Sequence, residues 1–257
     1  MNFKIDKKKI TFLCTSTILG LVVSVSTVNA DAVNNNIKNN NNVSLIKTPT
    51  DRSVDINQKT TKVIVHYQGD GNKWKLYTWV NNGTDKVDGK EYPWDGQDEY
   101  GNYKIIDMPG EHSKIGVLIK DNEWHKDGSN NDRQITTDLS GKAEVWYKEG
   151  SDQAQTVTPK FKKANIEINY LGSDAPASVK VKTDIDAKQA DLSLKEDATK
   201  TMKQGGIELK ATDNKEFTKV IINDNQQHEF TPLPGDKTDI YLVAGDKNVY
   251  YTASAAK

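Results

Sequence analysis

KVIVHYQGDGNKWKLYTWVNNG, residues 62–83, decides how the rest of the chain is read. KVIVHY (62–67) is a short β-branched run with polar flanks, the composition of a strand. QGDGN carries turn chemistry, and WKLYTWV (74–80) follows as a second strand. Side chains alternate along a strand, so Trp74, Leu76, Thr78 and Val80 share one face. Lys75, Tyr77 and Trp79 share the other. Alternation alone does not say which face is core. The lysine assigns the Tyr77/Trp79 face to solvent.

The same signal recurs downstream. YKIID (103–107), KIGVLIK (114–120), RQITT (133–137) and KAEVWYK (142–148) are strand candidates. They are separated by turn residues at Asn81-Asn82-Gly83, Pro109-Gly110, Asp127-Gly128 and Ser140-Gly141. Beyond Pro159, NIEINY (165–170), SVKVKTD (178–184), IELKATD (207–213), FTKVIIN (217–223) and DIYLVAG (239–245) continue the pattern. DLSLKEDATKTM (191–202) fits a short helix or a polar loop. Short strands at regular spacing imply an all-β chain of two immunoglobulin-like β-sandwich modules in tandem, over 61–150 and 159–257. EVWYKEG (144–150) and DIYLVAG (239–245) end the two regions alike, a faint repeat of a closing strand.

The first thirty residues have the grammar of a secretory leader: Lys4, Lys7, Lys8 and Lys9, an apolar stretch, then Val28 and Ala30 in the −3 and −1 positions. Cleavage after Ala30 and an extracellular location are expected. Removing 30 of 257 residues leaves 227, and the leader's four lysines against Asp6 turn the net charge of −1 into −4. The single cysteine, Cys14, leaves with the leader, which excludes disulfides, thiol catalysis and cysteine-based zinc sites in the mature chain. Residues 31–60 are crowded with asparagine and poor in large apolar side chains, the composition of a disordered linker. A mildly acidic chain with no basic block argues against nucleic-acid and membrane partners once the leader is gone. The chain is expected to act as a monomer.

The tryptophans distinguish the two modules. All five, at 74, 79, 94, 124 and 146, precede residue 150. A core of this size does not require five indoles. A pyranose ring offers a face of C–H groups and an edge of hydroxyls, so a site for it combines flat aromatic faces with a few polar groups. Tyr77 and Trp79, as i, i+2 neighbours about 7 Å apart on one strand face, meet the first need. Trp124 lies in DNEWHKDGSNNDR (121–133), a loop too polar for a core strand. Lys126 and Asp132 flank it, and a lysine donor beside a carboxylate acceptor can grip a vicinal diol. An isolated lysine or aspartate is by default a solvated charge; sharing a loop with Trp124 singles these two out. Trp94, after a proline, reads as a plug at one end of the sandwich, and Trp146 as structural.

Together, VIVHYQGDGNKWKLYTWVNNG, PWDGQDEYGNY, IGVLIKDNEWHKDGSNNDRQI and EVWYKEG resemble a family 41 carbohydrate-binding module of bacterial pullulanases. The shared signatures are His66-Tyr67, Trp74-x-Leu76-x-x-Trp79, Asp98-x-x-Gly101, and Trp124-x-Lys126-Asp127 with Asp132-Arg133. The resemblance covers about 61–150. It implies a β-sandwich that binds α-glucans such as pullulan, amylopectin, glycogen and maltooligosaccharides. Tyr77, Trp79 and Trp124 fall at the stacking positions, and Lys126 and Asp132 at the hydroxyl-binding pair. Tyr77 departs from the pattern in that a phenol covers less area than an indole.

Residues 159–257, above all TDIYLVAGDKNVYYTASAAK, are similar, more loosely, to the β module that follows in Gram-positive pullulanases. Glycoside hydrolysis needs two carboxylates on either side of the bond and a scaffold to hold them. None of the family 13 barrel motifs appears in these residues, nor does HExxH or GxSxG. DGSNND (127–132) lacks EF-hand spacing. The expectation is a carbohydrate binder with no catalysis, cofactor or metal in the residues present. The alternatives are a truncated pullulanase and an adhesive surface protein.

Overall fold

The computed structural model describes residues 43–44, 55–129 and 132–257. The expected leader, Cys14 and most of the asparagine-rich segment lie outside these residues. β1 (Val43–Ser44) pairs with the second module. The first module follows as β2 (Thr60–Gln68), β3 (Lys75–Asn82), β4 (Asp85–Tyr92), β5 (Gly96–Gln97), β6 (Asn102–Pro109), β7 (Lys114–Lys120), β8 (Arg133–Thr136) and β9 (Lys142–Lys148). The second comprises β10 (Lys163–Leu171), β11 (Ser178–Thr183), β12 (Ala190–Ser193), β13 (Lys195–Glu196), β14 (Met202–Lys210), β15 (Val220–Asn223), β16 (Gln227–Phe230), β17 (Thr238–Val243) and β18 (Asp246–Tyr250). Every regular element among the described residues is a strand, as the all-β reading expects. The segment that fitted either helix or loop forms β12, β13 and a turn.

Two sheets, β5-β6-β2-β9 and β4-β3-β7-β8, enclose the first core. Val63, Val65 and Tyr67 of β2, Leu76 and Val80 of β3, Ile115, Val117 and Ile119 of β7, and Val145 of β9 fill it. Trp74 is buried with them, so the Trp74/Leu76 face is the inward one and the Tyr77/Trp79 face is outward. Trp94 closes one end: its ring lies parallel to Tyr67 at 5.4 Å, and its Nε1–H donates to the Trp74 carbonyl at 2.7 Å. The sandwiches are not purely antiparallel. β9 runs parallel to β2, and β17 runs parallel to β10, because each closing strand returns beside the first in the same direction. The likeness of EVWYKEG and DIYLVAG thus has a counterpart in position.

β2 is buried on both faces, which is why KVIVHY reads as a nearly unbroken run. Ile64 leaves the first core and joins the second, packing with Ile166, Ile168, Leu209 and Ile240. Beside it His66 stacks on Trp146, with ring centroids 4.6 Å apart. His66 Nδ1 meets Asp98 Oδ2 at 2.6 Å, and Nε2 meets Glu144 Oε1 at 3.1 Å. Burial works against charge on this imidazole, but the two carboxylates outweigh it and raise its pKa above the usual histidine value. Asp98 Oδ1 also accepts the N–H groups of Tyr100 and Gly101. A β-carbon at Gly101 would meet the Tyr67 carbonyl at 2.5 Å, so the Asp98-x-x-Gly101 turn is a packing device. The seam continues through Tyr251, whose N–H donates to the Ser140 carbonyl at 2.8 Å and whose ring lies under the Lys142 ammonium.

Candidate functional site

β3 sits between β4 and β7, and its outward side chains lie on the exposed side of the β4-β3-β7-β8 sheet. Tyr77 is registered against Glu91 of β4 and Leu118 of β7; Trp79 faces Gly116 of β7. A β-carbon on Gly89 would fall within the Tyr77 phenol, and one on Gly116 within the Trp79 indole. The two rings therefore lie down across neighbouring strands instead of standing off the sheet, and both are half-buried. A register shift between Thr78 and Val80 bulges β3 against β4 at Trp79 and re-aims that side chain. The rings are 6.0 Å apart and tilted by 42°.

Trp124 is delivered by the β7–β8 loop. Asp121 organises it: Oδ1 accepts the N–H groups of Glu123 and His125, each at 2.9 Å, and Oδ2 meets His125 Nδ1 at 2.9 Å. That carboxylate raises the His125 pKa. Trp124 itself adopts φ +67, a left-handed conformation that costs of order 1 kcal/mol for a bulky residue. The result is an indole 57% exposed, set edge-on to Tyr77 at 5.1 Å and 68°. Beneath it lies the Lys120 ammonium, 4.2 Å from the ring centroid. Lys120 is almost fully buried, donating to Glu91 Oε2 at 2.5 Å and to the Asp121 carbonyl at 3.1 Å. The hydrogen bond from Lys120 holds the Glu91 carboxyl below the usual range, and Lys75 lies 3.4 Å from its other oxygen.

The foot of the loop is fixed by buried polar groups. Asp127 Oδ1 accepts the Gly150 N–H at 2.7 Å, and Arg133 Nη2 donates to the carbonyls of Asp127 and Ser151. These two motif residues anchor the loop. Lys126 and Asp132 meet each other across it at 2.7 Å, with Asp132 more than half exposed.

The structure thus joins Tyr77, Trp79 and Trp124 into one run of ring contacts, and joins Lys126 and Asp132 as an ion pair on the same loop as Trp124. Tilted aromatic faces bordered by ammonium and carboxylate groups form a surface that can cover C–H groups and hydrogen-bond hydroxyls. Sequence reasoning missed the supports: Gly89, Gly116, Lys120 and Glu91. Gly116, isolated within the apolar run KIGVLIK, was the one legible signal, because a lone glycine in a strand marks close approach by another group.

Residues 61–156 match the family model of the bacterial pullanase-associated domain. Among solved structures, the chain is similar to a family 26 carbohydrate-binding module of Eubacterium rectale in complex with maltoheptaose. That match has 15% identity and TM-score 0.33, and covers 77% of this chain and all of that one. It is similar to family 41 modules from streptococcal virulence factors, described for α-glucan recognition, at 17% identity and TM-score 0.32, over 77% of this chain and all of theirs. It is also similar to a Klebsiella pneumoniae pullulanase complexed with maltotriose, at 13% identity and TM-score 0.31, over 80% of this chain. The chain spans 22% of that enzyme's length.

Proposed function

We propose that the chain is a carbohydrate-binding protein that holds α-glucans on the Tyr77/Trp79/Trp124 surface and performs no catalysis of its own. The observation that carries this reading is the seating of Tyr77 and Trp79 over Gly89 and Gly116, with Trp124 held edge-on beside them. Two rings laid over the sheet at 42° to each other and a third set edge-on make a bent surface, suited to the curved chain of an α-1,4-glucan. Flat cellulose would not follow it. Lys126 and Asp132 supply the donor and acceptor for vicinal hydroxyls. The pullanase-associated match over 61–156 supports the same class of ligand.

In this reading the first module is a family 41 binding module, and residues 159–257 are the β module that accompanies it in pullulanases. The protein is exported, with its leader removed after Ala30, and works as a monomer on pullulan, amylopectin, glycogen or their oligosaccharides. The test is co-sedimentation of the protein with insoluble amylopectin. Retention is expected for the unmodified protein and is expected to be lost in Trp79→Ala and Trp124→Ala. Unchanged retention in both variants would overturn the site.

A further inference from the structure

The two rings of β3 end at Tyr77, but the strand face that carries them does not. Lys75 lies two residues before Tyr77 on the same face, about 7 Å further along β3. It also lines a hollow of about 460 Å³ at the end of the sandwich, together with Asp70, Asn72, Pro93, Trp94 and Gln97. Lys75 thus belongs both to the lining of the hollow and to the strand face that carries Tyr77. The walls of the hollow are built. Asn102, buried at its base, donates to the Gly69 carbonyl at 2.8 Å and accepts from Gln97 Nε2 at 3.4 Å, tying one wall to the other. Trp94 is fixed by its bond to the Trp74 carbonyl and by Tyr67 against one of its faces, and its half-buried ring helps line the space.

Asn72 and Gln97 are exposed, and each amide offers both donor and acceptor. Asp70 and Asp95 add carboxylates, the second paired with Lys104 at 2.5 Å, and Lys75 adds an ammonium that lies 3.4 Å from Glu91. An indole, two amides and charges largely held in ion pairs, in a concave surface, suit a neutral polyhydroxyl ligand better than an anion or a cation. We propose that this hollow is an additional subsite, which takes the glucose units that continue a bound α-glucan past Lys75. The proposal rests on the platform reading above.

The test is calorimetric titration of the full chain with maltotriose, short enough for the three rings alone, and with maltoheptaose. In the double variant Asn72→Ala, Gln97→Ala, both positions being exposed, maltoheptaose affinity is expected to fall about three- to tenfold. Maltotriose affinity should stay within about twofold. Equal losses for both sugars, or no loss for either, would overturn the subsite. Trp79→Ala in parallel is expected to weaken both sugars strongly. If it weakens neither, the platform reading itself fails, a result distinct from failure of the subsite.

Discussion

Trp79 takes its height above the sheet from a residue that has no side chain. Gly116, across the ladder on β7, leaves the space in which the indole lies, and the three atoms nearest to a β-carbon there all belong to Trp79. Alanine at 116 is acceptable to a strand, so the conflict falls on the ring and not on the backbone. Gly116→Ala is expected to leave the melting temperature within a few degrees while lifting Trp79 away from the sheet and from its seat beside Tyr77. Affinity for maltotetraose should then fall about tenfold, or ~1.4 kcal/mol. Near-ultraviolet circular dichroism would report the displaced indole, and titration the loss. An altered spectrum with full affinity would mean that the ligand does not read the height of this ring. Trp124 is set differently, by a left-handed backbone and the Lys120 ammonium beneath it. The sequence shows Tyr77, Trp79 and Trp124 plainly, but not these seats, because a seat depends on register between strands that local pattern does not specify.

At the scale of elements, the inward and outward faces of β3 were legible because Lys75 broke the symmetry between them. β4 was not. DKVDGKEY has no apolar alternation, and all eight of its residues are partly or fully exposed. It is a strand because β3 supplies its hydrogen bonds, and it brings Gly89 and Glu91 to the site. The cluster around β2 and β9 makes a prediction of its own. An unfolded histidine titrates near 6.5, and folding raises the pKa of His66, so the native state holds this proton more tightly. That contribution is full below pH 6.5 and is lost as pH rises through the folded value. For Asp98 and Glu144 burial opposes ionisation, but His66 together with the Gly101 and Tyr100 N–H groups at Asp98, and with Lys142 at Glu144, outweighs it, and both are held low. Their contribution is full above the ordinary carboxylate range and is lost as pH falls through their folded values. Stability should therefore peak on the mildly acidic side of neutrality. His66→Gln should cost about 3 kcal/mol at that peak and flatten the decline on the alkaline side. Denaturant midpoints from pH 3 to 9 measure both. An alkaline limb that survives in His66→Gln would assign the decline to other groups.

The two modules share one plan across the whole molecule. In the first, the sheets run β6-β2-β9 and β4-β3-β7-β8; in the second, β14-β10-β17 and β12-β11-β15-β16. β11 therefore occupies the place of β3. Its inward positions, Val179, Val181 and Thr183, are buried, and its outward ones are Ser178, Lys180 and Lys182. Where the first module lays down a phenol and an indole, the second sets lysines, one of them 3.0 Å from Asp191 on the adjacent strand. With no tryptophan after residue 146, the second module has the frame of a platform without its rings. Its packing is spent instead on the seam, where Ile64 of the first module enters its core. Each chain should thus bind a maltooligosaccharide at one site, the hollow beyond Lys75 extending that site and not adding another. Titration of the full chain is expected to give a stoichiometry near one. The double variant Trp79→Ala, Trp124→Ala should show no residual heat at millimolar ligand while keeping its cooperative unfolding. A second equivalent of ligand, or binding that survives in the double variant, would overturn the single site.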